Sequence, residues 1–483
     1  MINISKTVNR AGGCNNRLLK IQVIPGIWAA KLLSLSTRIL GHGGTTLPGR
    51  VALSISPRVI SYLAGQIRHG NLIVSGTNGK TTTSSLITNI LQEAGKSCVH
   101  NQSGSNMSWG IASALISYAS PGGFLSADFS VLEVDEGALP AVTLETSPLG
   151  IVLTNIFRDQ LDRYGEVDKV QQAVKKGLEA LSPGAFSVIN ADDPTLTGMI
   201  NNQDITTCTY GLEVNLPDDD FQDSSRDLKT CPLCSEKLIY DKIIFAHLGH
   251  YHCPICHFRR PEPDVKLTAY QPKPGNVISL EIDLAGEMLK FNTPLPGIYN
   301  IYNLMAAATC AKALEIPGKI IVSALEKAVP AFGRMEFFKS ADKNITMALV
   351  KNPVGANEVL RTLISNKQEG ILLIAINDKI ADGRDISWLW DVDFEKLLSE
   401  QELFSAIYLT GLRAQEMAVR LKYAGINQQK LHVDDNTGTA LKQAINHHPG
   451  KANIFIMPNY TAMLEIRRAL NEMGLGKAYW EGQ

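Results

Sequence analysis

Acidic side chains are missing from the first part of this 483-residue chain, since no aspartate or glutamate precedes Glu93. The same stretch carries ten lysines and arginines, although the formal net charge of the whole chain is only −1. An acid-free basic segment is typical of a surface that faces anionic lipid or an anionic substrate. A solvated basic helix or an acid-poor transit peptide gives the same pattern, so the sequence leaves these interpretations open.

Long hydrophobic runs are also missing, and none reaches the ~18 residues of a membrane-spanning helix. The best N-terminal candidate, 21–40, is interrupted by Lys31 and Arg38 and lacks a clear small-residue cleavage site, which argues against a secretory signal. With 45% hydrophobic and 19% charged residues, the composition is that of a soluble globular protein. We expect two or three domains and a cytoplasmic location, with the inner face of the membrane as the second expected location.

A disulfide framework is absent as well. Four of the eight cysteines are isolated, namely Cys14, Cys98, Cys208 and Cys310. The other four form two Cys-x-x-Cys pairs with 18 residues between them: Cys231, Cys234, Cys253 and Cys256. Two such pairs complete a tetrahedral Zn²⁺ shell, and a shell without an open position indicates a structural metal that folds a small insert, about 228–262. The alternative is two redox or incidental pairs.

Four histidines lie near these cysteines: His247, His250, His252 and His257. We interpret them as loop residues and not as ligands. A zinc ribbon can also bind nucleic acid, but this insert is not strongly basic and has no clear aromatic platform. The sequence therefore predicts no nucleic-acid partner.

The run 72–83 joins an apolar strand, a tight glycine loop, a lysine and hydroxyl residues that open a helix. This order suits nucleotide phosphates, because glycines let backbone N–H groups approach the oxygens and the helix N-terminus adds partial positive charge. Lys80 supplies a point charge, and the Thr81 hydroxyl can ligate Mg²⁺. The predicted phosphate-binding residues are Gly76, Thr77, Asn78, Gly79, Lys80, Thr81 and Thr82. Val74 stands where the strict P-loop pattern has glycine, so the loop is a variant.

Short β-branched runs alternate with helical patterns from residue 71 to about 190. The predicted strands are 71–75, 128–134, 150–155 and 186–190, and the predicted helices are 81–95, 107–119, 137–144 and 168–182. This alternation predicts an α/β fold in which helices cover a parallel sheet and ligands bind at the C-terminal ends of its strands. A second α/β unit is expected after residue 343, with strands near 345–350, 371–376, 405–409 and 452–456.

Acidic residues follow the second of these strands, at Glu133, Asp135 and Glu136. Carboxylates at this position beside a P-loop hold Mg²⁺ directly or through water. Glu133 is the first choice for this role. Asp135 and Glu136 fit a solvated helix start equally well.

Three further runs accompany these features: Thr154-Asn155-Ile156-Phe157-Arg158-Asp159-Gln160-Leu161-Asp162, Pro296-Gly297-Ile298-Tyr299-Asn300-Ile301-Tyr302-Asn303, and Gly333-Arg334-Met335-Glu336. With the phosphate loop they resemble the Mur ligase family, the ATP-dependent ligases of peptidoglycan and folylpolyglutamate synthesis, over most of residues 71–340. The resemblance implies that ATP phosphorylates a substrate carboxylate and that an amine then attacks the acyl phosphate to give an amide. It places Asn300 and Asn303 at the adenine, Arg334 at the nucleotide and Glu133 at Mg²⁺.

The chain also departs from this family. Gln160 stands where the family has a histidine, which removes a ligand for a second metal. A lysine that some relatives carbamylate corresponds to Lys175 or Lys176, although surface lysines of a helix are the commoner interpretation.

The C-terminal run from Asn377 to Asp391 and the short segment before the P-loop resemble the MurT branch of the family, from about Ile27 to Tyr460. The implied domains are a basic N-terminal segment (1–70), a Mur ligase central ATP-binding domain with the zinc ribbon inserted (71–340) and a MurT-type, Rossmann-like α/β domain (341–483). The implied activity is amidation of the α-carboxyl of D-glutamate in the lipid II stem peptide. The implied partner is a GatD-like glutaminase that supplies ammonia.

In this branch an aspartate of the C-terminal domain completes the Cys-His pair of the partner as the acid of a catalytic triad. Asp385 is the catalytic candidate by motif and Asp391 the second choice. Three other aspartates crowd the same stretch, namely Asp378, Asp382 and Asp393, and a loop or capping role is the alternative for all of them.

Two other functions remain open at this point. An amino-acid-adding ligase, of the Mur or folylpolyglutamate synthase type, would release ADP in the presence of an amino acid without glutamine or a partner. A zinc-ribbon ATPase that binds nucleic acid would show a salt-dependent affinity. The acidic stretch 218–220, before Cys231, and the near-neutral charge balance argue against the second function.

Overall fold

A computed structural model of the chain describes residues 16–39, 46–101, 105–157, 167–200, 205–214, 230–273, 277–329, 335–340, 342–365, 367–398, 400–447 and 452–475. These residues form two compact units. The first unit comprises the described residues up to 156, from 168 to 214 and from 230 to 329. Nearly all of the second unit lies after residue 335.

The first unit begins with three helices and continues with alternating strands and helices. Its elements in chain order are α1 (Asn16–Ile39), α2 (Leu47–Ile55), α3 (Val59–Ala64), β1 (Gly70–Ser75), α4 (Lys80–Glu93), β2 (Cys98–His100), α5 (Ser108–Tyr118), β3 (Phe129–Glu133), α6 (Leu139–Thr146), β4 (Gly150–Leu153), α7 (Val167–Glu179), β5 (Phe186–Asn190) and the one-turn α8 (Pro194–Thr197). They continue with β6 (Thr206–Leu212), β7 (Ile239–Phe245), β8 (Leu248–His252), β9 (Val265–Lys273), β10 (Val277–Leu284), β11 (Glu287–Thr293), α9 (Ile298–Ala313) and α10 (Gly318–Glu326).

Nine of these strands form one sheet in the order β11-β10-β9-β6-β5-β4-β1-β3-β2. From β9 to β2 all neighbours are parallel, whereas β9, β10 and β11 form an antiparallel extension. Strands β1, β3, β4 and β5 are apolar and almost entirely buried, as expected for a sheet covered on both faces. The parallel sheet predicted from the sequence is therefore confirmed, and β1 lies between β3 and β4.

The insert that carries the cysteine pairs forms a separate two-stranded antiparallel hairpin of β7 and β8. Short bridges pair Thr230 with Lys237 and His252 with Arg259, so each Cys-x-x-Cys loop is closed by its own bridge.

The second unit is a six-stranded sheet in the order β12-β13-β17-β14-β15-β16, parallel except for β12. Its elements in chain order are β12 (Glu336–Ser340), β13 (Lys343–Met347), α11 (Pro353–Ser365), β14 (Gly370–Ala375), β15 (Phe404–Thr410), α12 (Ala414–Tyr423), β16 (Leu431–Val433), α13 (Thr437–Asn446), β17 (Ala452–Pro458) and α14 (Tyr460–Glu472). The core is built from β13, β14, β15 and β17 with α13 and α14 packed on them. This arrangement is the predicted C-terminal α/β fold.

Within the described part of the chain, no helix combines the length and the apolarity needed to cross a bilayer.

Candidate functional site

The predicted phosphate loop connects the end of β1 to the first residue of α4. Two of its glycines adopt positive φ angles, +128° at Gly76 and +88° at Gly79. A Cβ atom at Gly76 would lie 2.3 Å from Oγ1 of Thr154. Both the backbone conformation and the close approach to β4 therefore require glycine at this position.

Asn155, which follows β4, holds the loop from the side. Its Oδ1 accepts the backbone N–H of Asn78 at 2.9 Å, and its backbone oxygen accepts the N–H of Thr77 at 2.9 Å. Thr154 adds a hydroxyl bond of 2.6 Å to the carbonyl of Asn78. Thr154 and Asn155 belong to one of the family motifs found in the sequence, which gave neither residue a role. The structure shows that both fix the shape of the loop.

Lys80 is only 7% exposed, and its ammonium lies among oxygen atoms. It donates to the carbonyl of Gly76 at 2.5 Å and to Oε2 of Glu136 at 3.2 Å. Glu136 is itself 4% exposed, so the two charges form a buried pair. The solvated helix start considered for Glu136 is not what the structure has, because the folded sheet brings this carboxylate to the lysine.

Glu133 ends β3 next to the loop, since its register partner in β1 is Val74. It is buried, and its backbone exchanges two hydrogen bonds with the side chain of Asn101, at 2.7 and 2.8 Å. Its Oε1 lies 3.5 Å from Nδ2 of Asn106, a long contact that a cation can replace. A buried carboxylate and the half-buried Thr81 on the first turn of α4 are hard oxygen donors of the kind that Mg²⁺ prefers.

The structure brings α9 onto the phosphate loop. Oδ1 of Asn303 accepts from the hydroxyl of Thr83 at 3.3 Å and lies 2.1 Å from where a Cβ of Gly79 would be. Asn303 in turn donates to Asn300 at 3.4 Å, and Asn300 donates to the carbonyl of Pro296 at 2.6 Å. The contact of these asparagines with adenine stays a prediction, while their place beside the loop is an observed feature.

Four other predicted positions give no further information about the site. Arg334 and Gln160 lie outside the described residues. Lys175 and Lys176 are both exposed on α7, which fits surface lysines of a helix.

The four cysteines predicted to bind metal lie together, with all Sγ atoms within 4.8 Å of one another. The distances from Cys231 to Cys256 and from Cys234 to Cys253 are 3.5 Å, close to the ~3.8 Å separation of four sulfurs that surround Zn²⁺ tetrahedrally. The backbone N–H of Cys256, helped by that of Ile255, lowers the pKa of the Cys253 thiol to about 7, whereas desolvation and hydrogen bonds among the sulfurs raise the pKa values of Cys234 and Cys256, so Cys253 ionises first of these three thiols.

The two cysteine loops have the same backbone design. The residue after the second cysteine of each pair has a φ of +62°, Ser235 in one loop and His257 in the other. His257 is thus a turn residue, and His247 points to Asp193 at 3.3 Å and not to the sulfurs. Both histidines behave as the sequence analysis expected, and the cluster fits a structural metal.

Asp192 connects the cysteine hairpin to the nucleotide side of the unit. Its Oδ1 accepts from Arg260, just after the second cysteine loop, at 2.6 Å. Its Oδ2 accepts from the hydroxyl of Tyr302 on α9 at 2.8 Å. Burial raises the pKa of Asp192, and the Arg260 guanidinium opposes this shift by stabilising the carboxylate. Tyr302 is the residue before Asn303, so this contact also orients the helix that covers the phosphate loop.

Asp193 makes a second connection. Its Oδ1 faces His247 in the turn between β7 and β8, and its Oδ2 accepts the backbone N–H of Ile156 at 2.9 Å. Ile156 directly follows Asn155, which shapes the phosphate loop. No sequence signal pointed to Asp192 or Asp193, because their partners are distant in the chain.

Removing one cysteine tests the metal cluster. We expect Cys256→Ser to reduce the zinc content from one ion per chain to near zero and to lower the unfolding temperature, because metal binding contributes to the folding free energy of a small insert. Elemental analysis and calorimetry of freshly purified protein measure both effects. Cys98→Ser, which removes an isolated half-buried thiol, is the matched control. Wild-type protein with clearly less than stoichiometric zinc would contradict the assignment.

The aspartates of the second unit differ in their surroundings. Asp378 pairs with Arg413 at 2.5 Å, Asp382 is buried against Thr461 at the start of α14, and Asp393 contacts Asn357. These three contacts stabilise the unit itself.

Asp385 and Asp391 stand at the two ends of the following segment. Asp385 is half-buried, and its Oδ1 accepts the N–H of Ser387 at 2.8 Å. Ser387 begins a 3₁₀ helix, Ser387–Asp391, and Asp391 at its end is exposed. The backbone bond fixes the orientation of the Asp385 carboxylate. Asp385 and Asp391 therefore remain the two candidates for the triad acid.

Comparisons with known families agree with this two-part design. The Mur ligase middle domain matches residues 74–246, and the MurT ligase C-terminal domain matches residues 349–463. The lipid II isoglutaminyl synthase (glutamine-hydrolyzing) subunit MurT of Staphylococcus aureus strain N315 is 34% identical over 92% of this chain and 97% of its own. The subunit of the same name from Streptococcus pneumoniae strain R6 is 33% identical over 94% of this chain and 98% of its own.

An amino-acid-adding relative matches less of the chain. The UDP-N-acetylmuramate–L-alanine ligase of Leptothrix cholodnii is 27% identical over 62% of this chain and 53% of its own. This difference favours the amidating branch over the amino-acid-adding alternative.

Solved structures support the fold. A pseudomurein peptide ligase type C from Methanothermus fervidus covers 83% of this chain, with 78% of its own length matched, at a TM-score of 0.64 and 24% identity. The MurF ligase of Thermotoga maritima in complex with ADP covers 86%, with 84% of its own length matched, at a TM-score of 0.61 and 13% identity. At these identities the likeness shows the fold alone, and it confirms the predicted Mur ligase architecture.

Proposed function

Because this chain belongs to the MurT family of Mur ligases, we propose that it is the synthetase subunit that amidates the α-carboxyl of D-glutamate in the lipid II stem peptide. Two family models match the chain in the expected order, and two relatives with the same name match it over nearly their whole length. Both findings support this proposal. The observation that carries it is the buried lysine of a constrained phosphate loop, set beside Glu133 and Asn303 at the C-terminal edge of a parallel sheet.

The reaction has two steps. The γ-phosphoryl group of ATP passes to a carboxylate oxygen of the acceptor, which gives an acyl phosphate and ADP. Ammonia then attacks the carbonyl carbon, the new C–N bond forms, the C–O bond to phosphate breaks, and inorganic phosphate leaves with loss of a proton from nitrogen. Both steps need positioned positive charge near phosphoryl oxygens more than they need a covalent catalyst.

The loop residues supply that positioning. The N-terminus of α4 would face the phosphates and Lys80 carries the charge, while the N–H groups of Thr77 and Asn78 donate to Asn155 and fix the shape of the loop. Glu133 and Thr81 would hold Mg²⁺, which when bound neutralises phosphate charge. The carbonyl of Gly76 and the carboxylate of Glu136 also accept from the Lys80 ammonium, so the protein itself compensates this buried charge.

The cysteine cluster is proposed to hold Zn²⁺ in a structural role. Four sulfur donors at tetrahedral separations leave no position for a substrate. The hydrogen bonds of Asp192 and Asp193 to this hairpin explain how a metal outside the nucleotide site supports the site.

A glutaminase subunit is the proposed ammonia source, and Asp385 the residue that completes its Cys-His pair. A carboxylate behind an imidazole fixes the tautomer of the ring and stabilises the imidazolium. Docking on the second unit would then switch on glutamine hydrolysis only in the assembled complex.

The experiment is reconstitution. The chain copurified with its glutaminase subunit should amidate lipid II in the presence of ATP and either glutamine or ammonia. Because –NH₂ replaces –OH, the product should be roughly 1 Da lighter, which mass spectrometry measures. Amidation that requires a free amino acid in place of ammonia would identify an amino-acid-adding ligase instead.

A further inference from the structure

The outer face of α1 is an exposed apolar stripe. Ile21, Pro25, Trp28, Leu32 and Leu35 follow one another at spacings of four, three, four and three residues, so they share one side of the helix. The four large side chains are between 51% and 69% exposed. Such a contiguous stripe on a soluble unit marks an interaction surface.

The other face of α1 fixes the helix to the first unit. Val23, Ile27 and Ala30 are completely buried. The backbone N–H of Gly26 donates to the hydroxyl of Ser56 at 3.3 Å, and this hydroxyl donates to the carbonyl of Gln22 at 2.8 Å. These contacts fix the rotation of the helix about its axis, so the stripe faces away from the described residues of the first unit.

The three helices that pack most closely with α1 carry no acidic residue. Helix α1 packs with α2, α3 and α5, and the sequence contains no acidic residue from 1 to 92 and none from 94 to 127. Lys20 lies 3.7 Å from the ring of Phe124, which is 63% exposed and extends the apolar area beyond α1. Further exposed apolar side chains on these neighbours are Leu47, Ile55, Trp109 and Tyr118.

We propose that this helical layer docks the protein on an anionic lipid bilayer, with the α1 stripe buried at the headgroup level. Apolar residues that include tryptophan, flanked by lysines and without acids, fit the interface of an anionic membrane by charge and by polarity. A second copy of the chain docked face to face would bring lysines against lysines, because this layer contains no acids to pair with them. The surface also brings the enzyme to a lipid-linked acceptor, a consequence that rests on the proposed function.

Cosedimentation of the full chain, alone and with its glutaminase subunit, tests the docking. The probes are phosphatidylglycerol-containing and pure phosphatidylcholine vesicles without lipid II. We expect binding to the anionic vesicles, and a loss of at least about tenfold in the double variant Trp28→Ser/Leu32→Ser. Lys20→Gln should weaken binding to the anionic vesicles alone, by about fivefold. Met288→Ser/Val329→Ser removes two exposed apolar side chains elsewhere on the same unit and should change nothing.

Three results would overturn the proposal: no binding to anionic vesicles, binding that Trp28→Ser/Leu32→Ser leaves intact, or self-association in the ultracentrifuge that this variant abolishes. The last result would assign the stripe to a second copy of the chain. Amidation of a water-soluble stem peptide separates this proposal from the proposed function. The double variant should keep that activity while losing rate on vesicle-bound lipid II, whereas a wild-type protein inactive on both acceptors would refute the function and leave the vesicle result valid.

Discussion

Lys80→Ala is expected to reduce both glutamine-dependent and ammonia-dependent amidation by on the order of 10³-fold or more. The lysine is the buried cation of a phosphate loop whose shape is fixed by Asn155 and Gly76, so its loss removes a positioned charge from the phosphate site. The measurement is ADP release and amide formation in the reconstituted complex. Lys169→Ala, a surface lysine of the same unit, is the control. Ammonia-dependent synthesis that survives in Lys80→Ala would remove this residue from the mechanism.

The ion pair with Glu136 offers a sharper version of this test. Removing Lys80 alone leaves a buried carboxylate uncompensated, which costs about 3–5 kcal/mol of folding stability. The double variant Lys80→Met/Glu136→Gln removes both charges and should regain stability without regaining activity. If activity returned with stability, the loss in Lys80→Ala would have come from the fold and not from lost phosphate binding.

Asp385→Asn is expected to lower glutamine-dependent turnover by about 10³–10⁴-fold while leaving ammonia-dependent amidation near the wild-type rate. The amide keeps the size of the side chain and can still accept the N–H of Ser387, so the local backbone is retained. It cannot stabilise an imidazolium in the partner. Paired assays with glutamine and with ammonium chloride separate the two half-reactions.

Asp391→Asn is the matched variant, six residues further on and at the other end of the same 3₁₀ helix. It should retain both activities. An equal fall of the two reactions in Asp385→Asn would exclude Asp385 as the triad acid, and a selective loss of glutamine-dependent turnover in Asp391→Asn would assign the role to that residue.

The elements that the sequence predicted well are those whose signal is local. The strand before the phosphate loop was expected at 71–75 and is found at Gly70–Ser75, and the helix after it was expected at 81–95 and is found at Lys80–Glu93. The cysteine cluster was equally predictable, because two closely spaced pairs can satisfy one tetrahedral ion. Short or edge strands such as Cys98–His100 and Leu431–Val433 were missed, since three residues carry too little periodicity to be recognised.

Residue types a few positions apart were enough to identify the phosphate loop, the four thiols, the α/β class and the family. The surroundings of these features became visible only in the folded chain. The sheet order brings Glu136 to Lys80. Helix α9 places Asn303 against Gly79 and Thr83, although 220 residues separate Asn303 from Thr83 in the chain. Asp192 connects Tyr302 to the cysteine hairpin. These contacts depend on strand register and helix packing, which bring together side chains whose spacing along the chain carries no information about their distance.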